Sequence, residues 1–185
     1  MKAKYLFILL LVFSLAFAGC SGDSSDTASD DTATSTQDES GETSSDTEET
    51  IAPADYDDAL SFLDASIADT EENTSSMVDA IAAAAKKEAN YSATKLTDEA
   101  LEYISSNYSD YFSDNSVMEY AMFYGYYLEY AYADNGSDNT YANLGMDVYQ
   151  AIKYVYRGTA DVEDDDVQAN LEQVADALTE LGYMD

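Results

Sequence analysis

The chain has 185 residues, 38 of them acidic and 7 basic, for a formal net charge of −31. Such a surface repels the phosphate backbone of nucleic acid and the headgroups of an anionic bilayer, so nucleic acid is not expected as a partner and membrane association requires an anchor. The absence of His and the single Cys exclude an intrachain disulfide, a Cys/His zinc centre and the Ser-His-Asp or Cys-His arrangements of nucleophilic catalysis. No phosphate loop or dinucleotide fingerprint occurs, and no cofactor or metal is expected.

Residues 1–19 read as a secretory signal peptide: Lys2 and Lys4 open it, Leu6 to Ala16 is apolar, and Ala18 and Gly19 precede Cys20. The ending Ala16-Phe17-Ala18-Gly19-Cys20 resembles the lipobox of bacterial lipoproteins, with Phe17 where that family usually has Leu. The resemblance implies cleavage before Cys20 and a diacylglycerol on its thiol. Partnership with the membrane would then run through acyl chains on Cys20, on the extracytoplasmic face of the cell membrane. Two acyl chains suffice for stable attachment, where one is marginal.

Residues 20–52 follow as a tether. Ser21 to Thr50 holds ten acidic residues, no aromatic and no basic one. It cannot bury enough apolar surface to offset chain entropy, so disorder is expected. Like charges extend it, with a root-mean-square reach of about 30 Å or more.

Residues 53–185 carry the periodicity of helices. Pro53 suits a first helical turn, and Tyr56, Leu60, Leu63 and Ile67 form one face. Met77, Val78, Ile81, Ala84 and Ala85 form the next stripe, with Lys86 and Lys87 expected in its last turn and Asn90 to Thr94 as a connector. Thr97 is expected to cap a third helix that turns Ala100, Leu101, Ile104 and Tyr108 inward. Tyr111 and Phe112 lie in a polar connector, placed to fold back on the core. Ser116 and Glu119 are spaced as a capping box for the segment Val117 to Tyr132, in which only Glu119 and Glu129 are charged. That segment is apolar all round, as expected of a helix enclosed by others. Its rise of roughly 24 Å is short for a membrane span. Asp134 to Asp138 reads as a turn; an EF-hand register would need glycine at Asn139 and glutamate at Gly145. Leu144, Val148, Ile152 and Val155 form the next stripe, stopped by Gly158. Val167, Leu171, Val174, Leu178 and Leu181 close the chain, with Asp165 and Gln168 expected to cap them. Gly125 and Gly145 interrupt two helical patterns and are expected to let those helices approach closely. The fold class is all-α, a compact bundle of about six helices with short antiparallel connections.

Thirteen of the 17 tyrosines fall between Tyr103 and Tyr156. Tyrosine packs its ring and keeps its hydroxyl at a rim, so these residues serve a core, an interface, or both. One helix cannot bury Tyr124, Tyr126, Tyr127 and Tyr130 equally, which makes them candidates for a binding groove. Lys153 and Arg157 stand four apart on one helical face and are candidates for an anion site. A structural role is also open to them, at a helix C-terminus and opposite Glu119 or Glu129, with Lys153 nearer Glu119 in an antiparallel hairpin. Glu119 and Glu129 lie about 15 Å apart along one helix, so a carboxylate pair would need a residue from another helix. The run from Tyr124 to Tyr130, with Tyr154 to Gly158, resembles small tethered lipoproteins of Gram-positive bacteria, a resemblance that implies helical class and location and no activity. The expected function is a membrane-anchored extracytoplasmic binding or interaction module for an envelope protein, peptide or glycan. The alternative is a cell-envelope hydrolase working through carboxylates.

Overall fold

The computed structural model describes residues 51–70, 73–135 and 139–185. The segments expected to be a signal peptide and a tether, with Cys20, fall in residues 1–50 and, like residues 136–138 of the turn, lie outside the described residues. Six helices are present: α1 (Ala59–Ile67), α2 (Thr74–Ser92), α3 (Thr97–Ser106), α4 (Asn115–Tyr132), α5 (Thr140–Tyr156) and α6 (Asp165–Leu181). Among the described residues there is no strand, and no helix is long and apolar enough to cross a membrane.

Asx residues start four of the helices. Asp58 accepts from the Ser61 amide at 2.8 Å, Asn73 from Ser76 at 2.9 Å, Asp114 from Val117 at 3.0 Å and Asn139 from Tyr141 at 3.0 Å. Each cap satisfies an orphan amide and contributes about 1 kcal/mol.

These caps shift several expected boundaries. Pro53 opens a short 3₁₀ turn, and α1 begins only after Asp58. Asp114 takes the capping position of α4, which places Ser116 and Glu119 inside the helix rather than at its boundary. The Thr97 hydroxyl is held by the Thr94 carbonyl and the Tyr132 hydroxyl, so Thr97 is the first helical residue rather than the cap. Asp164, not Asp165, precedes α6, and its carboxylate turns back to the Asp161 amide. Helix α2 runs on to Ser92, because Glu88, Ala89 and Ser92 extend its buried stripe; Lys86 and Lys87 therefore lie short of its last turn.

Helix α4 packs against α2, α3 and most extensively α5, while α1 lies on α2 and α6 on α5. Every residue from Ala121 to Leu128 is buried. That is more than two turns, so no face of this stretch meets solvent. Burial of each large apolar side chain there contributes on the order of 1.5–3 kcal/mol. Tyr111 folds back as expected, fully buried, with its hydroxyl donating to the Ile104 carbonyl at 2.8 Å.

Helices α4 and α5 cross at the two glycines. A methyl on Gly125 would lie 2.8 Å from the Gly145 carbonyl oxygen, and one on Gly145 would lie 2.8 Å from the Glu129 amide nitrogen. The missing side chains set the approach of the two backbones at the centre of the bundle.

Candidate functional site

The four candidate tyrosines of α4 do not share a surface. Tyr124 is buried, and its hydroxyl donates to Glu99 at 2.5 Å. Tyr127 is buried too; its hydroxyl donates to the Ala93 carbonyl at 2.5 Å and accepts from the Leu96 amide at 3.0 Å. These two are core residues that fasten α4 to α3 and to the α2–α3 turn. Tyr126 and Tyr130 instead belong to a stack. The Tyr126 ring lies 4.1 Å from that of Tyr149 on α5 and 6.2 Å from that of Tyr130, nearly parallel to both. Burial pushes the Tyr126 hydroxyl up to about 12.

Cations cap the ends of this stack. Lys86 of α2 stands 5.8 Å over the Tyr130 ring, and Lys153 stands 4.8 Å over Tyr149 and 5.0 Å over Tyr154. Arg157 approaches the exposed Asp79 at 3.8 Å, while its Nε is buried without a hydrogen-bond partner among the described residues. Burial and the neighbouring Arg157 lower the Lys153 pKa, and Glu129 opposes them. Glu119 is met not by Lys153 but by the Tyr156 hydroxyl, at 2.6 Å. Helical side chains lean toward the N-terminus of their own helix, so Lys153 reaches back over Tyr149.

The open surfaces lie elsewhere. Among the described residues three large apolar side chains are exposed: Tyr154 at 43%, Met146 at 38% and Tyr91 at 59%. The first two lie in a groove between α5 and α6 whose two lobes hold about 590 and 430 Å³ and share Gln150, Tyr154, Asp166 and Asn170. Asp147 lines the second lobe, and burial alone pushes its carboxyl up to about 6.

Tyr91 rims a different cavity, of about 370 Å³, between the N-terminal turn, α2 and the α2–α3 turn. Its wall includes Glu88, a carboxyl residue only 4% exposed. Burial raises the Glu88 pKa, and the nearby Glu99 raises it further. Ser92 favours the ionised form, although that hydroxyl also donates to Glu88's own carbonyl at 2.9 Å. Beside it Ala93 holds φ 53 and ψ −119, a conformation L side chains rarely adopt. The Lys95 amide bonds back to the Ser92 carbonyl across this turn at 3.2 Å.

Glu88 and Tyr154 were not among the candidate residues of the sequence. Glu88 continues the spacing of Ile81 and Ala85, so a charged residue at a core register was the available signal. Tyr154 lies off the stripe of Leu144, Val148, Ile152 and Val155, so its place in the helical period was the available signal. No group of three His, Cys, Asp or Glu side chains converges as a metal site among the described residues. Comparison with protein families, with curated proteins and with solved structures finds no match to this chain.

Proposed function

We propose that the chain is a lipid-anchored binding module on the extracytoplasmic face of a bacterial membrane. It is held by acyl chains on Cys20 and uses the α5–α6 groove to engage an envelope peptide, glycan or protein. The observation that carries this reading is the position of Tyr154 and Met146, apolar surfaces left open between amide and carboxyl groups. An aromatic platform with convergent polar side chains is the usual composition of a recognition site. The test is capture from an envelope extract, comparing the parent chain with Tyr154→Ala. The parent is expected to retain a defined partner that the variant loses; identical recoveries, or none from the parent, would overturn the reading.

A hydrolase reading draws on Asp147. A carboxyl pushed up to about 6 is poised as a general acid, and Asp166 lines the same groove. Release of reducing ends from envelope polysaccharide, lost in Asp147→Asn, would favour it over the module.

A further inference from the structure

The Glu88 cavity is distinct from the α5–α6 groove and shares no lining residue with it. Its composition sets the chemistry it can accept. A carboxylate removed from water is strongly disfavoured unless a cation or several donors meet it. Glu88 has no ion pair among the described residues. Lys95 shares the rim but forms no ion pair with Glu88 among the described residues. The tether cannot supply a cation, since Ser21 to Thr50 contains no Lys or Arg. The remaining walls suit an aliphatic stem ending in a positive charge. Tyr56 and Tyr91 offer rings at the mouth, and Asp57 and Asp58 add negative potential around it. A cation draws on both, through the ring faces and the carboxylates.

The strained turn points the same way. Ala93 is kept at positive φ by the Tyr127 hydroxyl on its carbonyl and by the Ser92–Lys95 hydrogen bond. Unfavourable backbone of this kind persists where the surroundings over-determine it, and it clusters at ligand sites. Here it fixes the wall that carries Ser92, Lys95 and Leu96.

We infer that this cavity is a ligand site for an alkylammonium group, with the ammonium against Glu88 and the stem between Tyr56 and Tyr91. The inference does not depend on the α5–α6 groove. A lysine side chain of a peptide and a free alkylamine both present this group.

The test is a titration of the full chain followed through the ring resonances of Tyr56 and Tyr91. The probes are N-acetyl-lysine methylamide, its norleucine counterpart and n-butylammonium. The lysine probe is expected to saturate, and the norleucine probe, with the same stem and no charge, to give no saturable shift. Glu88→Gln is expected to weaken binding by roughly thirtyfold or more, the lower end of what losing one partner of a buried charge pair costs. That variant is also expected to melt at or above the parent temperature, because a neutral amide relieves a buried carboxyl that no cation meets. Loss of binding would then not be loss of fold. Tyr154→Ala is expected to leave the titration unchanged, which separates this site from the groove. Tighter binding of the lysine probe than of butylammonium assigns a peptide side chain, and equal binding a free amine; both uphold the site. Equal affinities of the parent and Glu88→Gln, equal response to the norleucine probe, or no saturation would overturn it.

Discussion

Replacing Gly145 with alanine tests the central packing of the bundle. The new methyl would stand 2.8 Å from the Glu129 amide nitrogen and 2.9 Å from the Leu128 Cβ. Comfortable carbon contacts begin near 3.5 Å, so α4 and α5 must part by roughly half an ångström or more. No rotamer change can relieve the clash, because the obstructing atoms are backbone or Cβ. Alanine gains about 1 kcal/mol of helix propensity over glycine. Overpacking a close-packed interior costs about 1–3 kcal/mol, and occasionally more where the backbone itself must move. The cost wins here, because separation at the crossing also loosens Leu128, Val148 and Tyr149 at the centre of the core. A net loss of about 2 kcal/mol is expected, a fall in Tm of roughly 5–10 °C for a domain of this size.

Thermal unfolding followed by circular dichroism reads the effect. Gly125→Ala should destabilise as well, and the double variant should cost less than the sum, since one separation accommodates both methyls. Gly158 supplies the contrast: its φ is 66° and nothing lies within 4 Å of an added Cβ, so only backbone strain is incurred. A Gly145→Ala protein that melts with the parent, or an additive double variant, would show that the crossing is not set by the glycine pair.

Other expectations follow from the same geometry. Ala93→Gly should raise Tm, since glycine adopts φ 53 freely and the strained residue costs about 1–3 kcal/mol; a lower Tm would show that the turn is not strained. Tyr127→Phe should destabilise the fold by about 1–3 kcal/mol, read as a lower Tm, because the Ala93 carbonyl and the Leu96 amide both lose their partner. For pH, the raised folded-state value of Asp147 means stability is greatest below its ordinary 3.8, falls as pH rises toward about 6, and is flat above. Glu88 and Glu129 act in the same direction, while Asp58, whose pKa is lowered by the Ser61 amide, contributes stability lost on acidification. Asp147→Asn should therefore remove part of the decline between about pH 4 and 6, and an unchanged slope would exclude Asp147 as a source. Added NaCl should raise Tm by screening self-repulsion, and a flat or falling response would show that specific ion pairs outweigh the net field. Cys20→Ser should abolish labelling with a palmitate analogue, and equal labelling of the variant would overturn the anchor.

The helices were legible because apolar spacing persists through each of them, and the enclosed α4 because its apolar residues keep to no face. Boundaries were less so. Thr97 and Ser116 have the side chains of caps, yet each lost the position to a tertiary hydrogen bond or to a neighbouring Asp. The site was hidden in part, for a related reason. Tyr124 and Tyr127 lie in a helix that is apolar all round, where only the packing of α2, α3 and α5 decides what each ring meets, whereas Tyr154 lies off a one-sided stripe. The side chain of Lys153 reaches toward the end of α5 opposite to the one its position on the hairpin suggests, a consequence of side-chain direction rather than of spacing.

Tyrosine content and charge have one explanation. From Pro53 onward the chain has 28 acidic residues and 5 basic ones, so carboxyls cannot be neutralised by cations one for one. Tyrosine hydroxyls meet them instead: Glu99 is bound by Tyr124, Glu119 by Tyr156, and Asp64 by Tyr120 at 2.9 Å. A phenol donates one hydrogen bond and buries a ring with it, which serves a core and a carboxylate together. Lys86 and Lys153 sit on tyrosine faces, so the few cations also pack against the aromatic layer. Burial raises the carboxyls of Glu88, Glu129 and Asp147. Glu129 is eased by Tyr149 and Lys153. Among the described residues Glu88 and Asp147 meet neither a tyrosine hydroxyl nor a cation, and both line cavities on the surface of the bundle. Tyrosine thus takes the place of a cation at most inward carboxyls, and at Glu88 a serine hydroxyl takes it instead.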